Sequence, residues 1–448
     1  MTSLAAQPPD PPSLDAKVQQ SAPDADPLAL ILQTTTLLFA NAETTERTMA
    51  AGNRVAEVLG SRATLIPRWD ELTVRLEGSA GSQHDLAAVA PASIDMNKVL
   101  ATEQTIDAMV DGGLSPEAAR SAFAKIAALP PVSLGRFALA AAVGASALSV
   151  VFGAMHPSSI ALMAFSAGTG AVIWRRLSRV SPNLFLQPFC AALLAGLVGG
   201  VAQRYQLSSP LGLVALCPCM VLVPGPHFLN GLLDLAHARV SLGCSRIAFA
   251  TLVIVAISTG LLLGLWLVGA ALLVSPPSRS VALAVDVVAA GLAVSAYGSF
   301  YSMAWRYLPI PILVGMIAHA LHWLALAMGA NVYAAAFLAC LFVGLVITPL
   351  ANRLRLPFAA MAFAAVVSLI PGVFLFRMAA GLVQIAKLSV NTPPSLALAV
   401  VAEGSTAILI ILAMGFGLIA PKLWAERSRP ARTPATMTTA GAERVRKA

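Results

Sequence analysis

The 448-residue chain is 58% hydrophobic and only 11% charged, far from the roughly 25% charged residues of an average soluble protein, which excludes a soluble enzyme and points to a membrane protein. Residues 1–136 hold 10 Lys/Arg and 16 Asp/Glu, whereas residues 137–424 hold 13 and 3, so a polar N-terminal part precedes a lipid-embedded one. The formal charge of +8 and a pI near 9.6 do not signal nucleic acid, because the basic excess lies between and after apolar spans, where membrane topology accounts for it.

Residues 1–27 are rich in Pro, Asp and Ala, with neither a basic start nor an apolar core. They are expected to be a disordered tail and not a secretory signal. Residues 28–136 are expected to form a small cytoplasmic α+β domain. From Leu28 to Gly60 apolar residues recur at helical spacing and stop at a glycine, giving one long helix or two abutting ones. ATLIPRWDELTVRLE alternates like a hairpin, and Leu86 to Ala90 could add a third strand. Asn97 to Val110 reads as a helix, and Ser115-Pro116-Glu117 opens another with a cap residue followed by Pro.

Beyond Leu129-Pro130-Pro131, ten apolar spans are expected: Phe137–Ala154, Pro157–Trp174, Leu184–Gln203, Leu211–Asn230, Ile247–Val274, Val281–Met303, Leu308–Met328, Val332–Ala351, Pro357–Ile385 and Ser395–Ala420. Most approach the ~20 residues that cross a ~30 Å hydrocarbon core. With the N-terminus inside, the cytoplasmic loops and tail collect 18 Lys/Arg and the outer side only Arg204, Arg279 and Lys387, which predicts cytoplasmic N- and C-termini. Residues 425–448 read as a basic cytoplasmic tail.

A weak repeat runs through the spans. Val223-Pro224-Gly225 and Ile370-Pro371-Gly372 lie 147 residues apart, and that shift lays the first five spans (137–274) on the last five (281–424). Five is odd, so the second copy runs through the membrane in the opposite sense. The predicted fold class is therefore a polytopic α-helical membrane protein of ten helices in two inverted five-helix halves, an architecture of transporters that bind substrate near the midplane. In each half the fourth span is broken by Pro-Gly after a piece about 20 Å long. Freed backbone is tolerated there only if buried or lining a polar cavity, and the following half-helix offers unpaired N–H groups to an anion such as a carboxylate. A pair of packing kinks is the alternative.

These residues resemble the threonine/serine exporter family of bacterial inner-membrane proteins. The resemblance rests on Asn41-Ala42-Glu43-Thr44 through Met49 and Gly60; on Leu222-Val223-Pro224-Gly225 followed by Asn230-Gly231, Asp234-Leu235 and Gly243 to Arg246; and on Leu369-Ile370-Pro371-Gly372. It covers about Leu28 to Trp424. It implies a fused form of split, two-subunit relatives linked to dicarboxylate (succinate) export, and an exporter of a small carboxylate-bearing metabolite, a hydroxy amino acid such as threonine or serine. Dicarboxylate export is the rival within transport. A membrane-tethered enzyme or a sensor using the N-terminal domain are the rivals outside it.

Candidate site residues follow. Pro224, Gly225, Asn230, Pro371, Gly372 and Arg377 are assigned to substrate binding. Between Phe137 and Trp424 the acids are Asp234, Asp286 and Glu403, and an ionisable group within a span is a functional candidate by default. Glu403, nine residues into an apolar span, is expected to be the main proton-coupling acid, with Arg377 as its partner. Asp286 is a second coupling candidate, or lies near the outer interface. Asp234 and Arg246, with Arg239, suit a gating or structural ion pair, and Glu43 and Glu46 lie on a surface expected to meet the inner mouth. His319 and His322, three apart, suit either a relay or two core histidines. The five cysteines lack metal or redox spacing and read as packing residues. No metal or cofactor is expected. The expected partners are the carboxylate substrate, protons and the lipid bilayer, with oligomeric state open and a homo-oligomer among the alternatives.

Overall fold

The computed structural model describes residues 26–78, 81–154, 156–207, 212–272 and 281–427. The expected N-terminal tail and nearly all of the basic C-terminal tail lie outside these residues.

The apolar stretch after Asp26 folds as two helices, α1 (Pro27–Ala40) and α2 (Thr45–Val58). The Asp26 carboxylate caps α1 through Leu28 N–H, and the chain turns between the helices with Ala42 at φ 63°. Three antiparallel strands follow in the order β1 (Arg62–Pro67), β2 (Glu71–Gly78) and β3 (Gly81–Ala88). β3 begins earlier than the expected Leu86–Ala90, because its register runs from Gly78↔Gly81 to Glu71↔Ala88. Its first half is polar and exposed, so backbone pairing and not burial defines it. α3 (Met96–Val110) and α4 (Pro116–Ala127) complete this part, and the Asp95 and Ser115 side chains cap them as N-cap chemistry requires. Leu30, Leu38, Phe39, Val55, Leu72, Val74, Val99, Ile106 and Phe123 form its hydrophobic cluster.

The rest is helical: α5 (Leu134–Val151), α6 (Pro157–Val180), α7 (Leu186–Arg204), α8 (Leu213–Met220), α9 (Gly225–Ala236), α10 (Val240–Leu267), α11 (Leu283–Phe300), α12 (Pro309–Ala327), α13 (Val332–Leu354), α14 (Phe358–Val366), α15 (Gly372–Leu388) and α16 (Pro394–Arg427). Among the described residues, nine helices are long and apolar enough to cross a membrane; a tenth is reached if α8 and α9, bent by 52° at their break, count as one span. The chain is a mostly helical, polytopic membrane protein. Large apolar side chains such as Leu139, Phe165, Trp266, Leu345 and Phe416 are exposed, as a lipid-facing surface requires. Helix pairs approach closely where small residues meet: a Cβ on Gly196 of α7 would lie 2.2 Å from the Leu261 carbonyl of α10, and one on Gly344 of α13 would lie 2.9 Å from the Gly417 carbonyl of α16.

The N-terminal part meets the C-terminal ends of α11, through Met96 N–H on the Tyr301 carbonyl, and of α13, through Asp107 on Arg355. The first turns of these two helices therefore lie at the opposite end of the bundle, the far face.

Candidate functional site

Both breaks lie where the spacing places them. α8 stops at Met220, and Pro224, which has no N–H to continue a helix, precedes Gly225 at the start of α9. α14 runs into a 3-10 turn (Val367–Leu369), and Ile370-Pro371 then open α15 at Gly372. The structure brings the breaks together by crossing them. A Cβ on Gly225 would fall 1.5 Å from the Phe363 ring of α14, and one on Gly372 would fall 2.9 Å from Cγ of Met220 in α8. Each break is thus packed against the half-helix that precedes the other. Val223, Gly225, Phe363, Ile370 and Pro371 line an apolar cavity of about 60 Å³ at the crossing. That is far below the ~300 Å³ from which small-molecule sites begin.

Polar chemistry lies beside the second break. A cavity of about 370 Å³ runs from Val281, Ala327 and Val332 at the far face to Ser368, Ile370 and Phe374 at the break, and Asp286, His319 and His322 line its wall. Asp286 is 6% exposed. Its Oδ2 lies 3.0 Å from His319 Nε2, and His319 Nδ1 lies 2.9 Å from the Ser368 hydroxyl. The second carboxylate oxygen, Asp286 Oδ1, is buried and has no hydrogen-bond partner. Asp286 is therefore enclosed by protein, in the first turn of α11. His319 is a core histidine that is also one link of a chain of polar groups.

Arg377, 1% exposed, faces Glu403 at 3.8 Å from α15 to α16. The two residues paired in the sequence reading thus face each other, and both retain buried atoms without a hydrogen bond.

A third polar cluster joins the N-terminal part to the nearby ends of α9, α10, α13 and α16. Arg246, fully buried, binds Asp234 at 2.9 Å, and Arg239 lies 3.5 Å from the same carboxylate. Arg239 also pairs with Glu46 of α2, and His237 lies 3.2 Å from Glu426 of α16. The Asn230 amide donates to the Ala42 carbonyl at 3.0 Å, so its N–H engages the α1–α2 turn. Arg246 also reaches the Thr45 hydroxyl and sits 5.3 Å from the Phe39 ring centre. Glu43 is buried and lies 3.6 Å from Arg47, whose other partners are the Leu356 carbonyl and Glu103. Arg355, in left-handed backbone at the end of α13, binds Asp107 at 2.9 Å. The α1–α2 turn is thereby held against α9 and α10 on one side and the α13–α14 connection on the other. Burial pushes the Glu103 carboxyl above the usual carboxylate range, against the opposing pull of Arg47.

Phe363, Met220 and Ser368 were not singled out in the sequence. Phe363 and Met220 are ordinary apolar residues within apolar helices, so only the crossing distinguishes them. Ser368 stands two positions before Ile370-Pro371-Gly372, and a hydroxyl so near a break inside a span is the one signal that marks it. Among the described residues no cluster of three or more His, Cys, Asp or Glu could hold a metal ion.

No solved structure matches the chain. Two family models do: ThrE, a threonine/serine exporter family, over residues 29–268, and a second threonine/serine exporter model of the same name over residues 286–424. Their junction falls between α10 and α11, where the sequence repeat divides the spans. The chain belongs to the threonine/serine exporter family.

Proposed function

We propose that the protein is a secondary-active, proton-coupled exporter of a small carboxylate-bearing metabolite, threonine or serine, in a bacterial inner membrane with both termini cytoplasmic. Family membership supports export, and the Lys/Arg asymmetry between loops supports the orientation. The observation that carries the mechanism is the crossing of two broken helices, one from each family match, with Gly225 on Phe363 and Gly372 on Met220. Such breaks free backbone N–H groups at membrane depth, and the first N–H groups of α15 have no intrahelical acceptor. They suit the substrate's carboxylate.

The packing supports an inverted repeat. α7 lies along α10 as α13 lies along α16; α6 and α7 flank α8 as α12 and α13 flank α14; α8 meets α15 as α14 meets α9. Asn230 and Arg377 occupy matching places, each five residues after the glycine of its break. In this reading Pro224, Gly225, Asn230, Pro371, Gly372 and Arg377 surround a central site that opens alternately to each side. Asp234, Arg246, Glu43 and Glu46 hold the N-terminal turn at the inner mouth. Of the two coupling acids, Glu403 keeps a counter-charge in Arg377, whereas Asp286 lines a cavity and has a buried oxygen without a partner. Asp286 is thus the better placed to exchange protons.

Purified protein in vesicles preloaded with labelled threonine, serine or succinate tests this. Threonine or serine efflux that accelerates when the outside is acidified, with proton movement inward, is the expected result. Succinate efflux alone would move the assignment to the dicarboxylate rival, and no efflux of any of them contradicts the reading.

A further inference from the structure

We infer that the Asp286 carboxylate is a shared exchange site, holding either a proton or the ammonium group of an amino-acid substrate and never both. The inference rests on the exporter reading and names the chemistry by which that exporter chooses its cargo.

Three observations meet at this residue. The cavity is within the ~300–1,000 Å³ of small-molecule sites, at about 370 Å³, and reaches the far face. Asp286 is the acid in its wall, and the lining includes no Lys or Arg. The carboxylate is oriented by His319, which holds Oδ2 and leaves the buried Oδ1 without a partner. A buried acceptor without a donor costs of order 1–3 kcal/mol, more when charged, so this oxygen calls for a donor, and Asp286 lines the cavity through which one would come. An ammonium group supplies both donors and compensating charge. A second carboxylate would meet like charge with no Lys or Arg in the lining, so the cavity discriminates against a dicarboxylate.

The surroundings make the exchange sharp. Among the described residues, the titratable groups facing Asp286 are His319 and His322 of α12. α5, packed along α11, contributes only Arg136, which lies at the opposite end on the Met303 carbonyl, and α14 contributes none. When the substrate ammonium arrives, the proton on Asp286 leaves; when the substrate departs, a proton returns. One carboxylate then enforces one-for-one exchange, because either occupant neutralises it and the empty anion is the costly state.

The same site is tied to the moving element. His319 has Nε2 toward Asp286 and Nδ1 toward the Ser368 hydroxyl, and Ser368 lies two residues before Ile370-Pro371. A shift of the carboxylate toward an ammonium group therefore pulls on the turn that precedes the second break.

Labelled threonine binding to the full-length detergent-purified protein, read over a series of pH values, tests the proposal. Proton competition for one carboxylate should weaken apparent affinity on acidification, by at most about tenfold per unit. Asp286→Asn should weaken binding at least about tenfold and flatten that dependence, while Asp286→Glu should retain it. In wild-type protein, threoninol, which keeps the ammonium and lacks the carboxylate, should displace threonine more readily than 3-hydroxybutyrate or succinate, which lack the ammonium. Equal displacement by succinate, or binding in Asp286→Asn within about twofold of wild type with the same pH dependence, overturns the proposal and leaves the exporter reading standing. Wild-type protein that neither binds nor exports any amino acid overturns both. The competition series needs no variant, so a misfolded substitution does not block the test.

Discussion

At Gly225 and Gly372 the absence of a side chain is a packing requirement, and the two positions should respond differently to the same substitution. A methyl group at Gly225 would overlap the Phe363 ring, which is confined between helices; at Gly372 it would lie 2.9 Å from Cγ of Met220, an unbranched side chain that gives more readily than a ring. Gly225→Ala is therefore expected to destabilise the protein by about 1–3 kcal/mol or more through overpacking, and Gly372→Ala by less than about 1 kcal/mol. Thermal unfolding of the purified variants checks the order, and equal shifts would contradict the crossing. The Pro-Gly pairs were legible in the sequence because their chemistry interrupts a helix wherever it falls. Their partners were not, because nothing local tells Phe363 from any other phenylalanine in an apolar helix. Asp286 was legible as an isolated acid in a span. The side chains that give it meaning, His319 and Ser368, stand 33 and 82 residues away and meet it only through the packing of α11, α12 and the turn before α15.

At the scale of elements, the decisive contact is the α1–α2 turn against α9 and α10. Asp234 and Arg246 form a buried pair within it, and removing one partner of such a pair typically costs 3–5 kcal/mol because the other charge is stranded. Arg246→Met should lower the thermal midpoint more than Asn230→Ala. The latter gives up one hydrogen bond to Ala42, worth about 1 kcal/mol. If Asn230→Ala proves the more damaging, the pair does not anchor this junction.

Glu103 gives the same region a pH signature. Its carboxyl is raised from 4.5 chiefly by burial, so the folded chain holds a proton that the unfolded chain has released. Stability from this group is present at and below pH 4.5 and is lost as pH rises through the higher folded value. Glu103→Gln should flatten the fall in thermal midpoint above pH 4.5, and an unchanged slope would contradict that assignment. Ser115 followed by Pro made the start of α4 legible and apolar spacing made α1 legible, whereas the caps Asp26 and Asp95 of α1 and α3 were not singled out. β3 was misplaced because its early residues are polar and it is held by pairing alone. The junction itself was half legible: Glu43, Glu46, Asp234 and Arg246 stood out as charges, but that they meet one another was visible only in the fold.

At the scale of the whole molecule, the account is that two halves, each with one broken helix, cross at their breaks and must separate there to pass a substrate. The 147-residue spacing of the Pro-Gly pairs carried this expectation in the sequence, and the matching packing of α7 with α10 and of α13 with α16 supports it. The direction of the crossing was not legible, because a repeat fixes which elements correspond and not how they lean. Met220 offers a direct test, because its Cβ lies 3.7 Å from where a Cβ at position 372 would stand, close to the mean ~3.8 Å separation in disulfides. In a background freed of the five native cysteines, Met220→Cys with Gly372→Cys should form a bond under oxidation that clamps the two halves together. Threonine efflux from vesicles should then stop on oxidation and recover on reduction, while each single substitution remains indifferent to both. Undiminished efflux by the fully cross-linked protein would contradict the account, because transport would then proceed without the breaks parting.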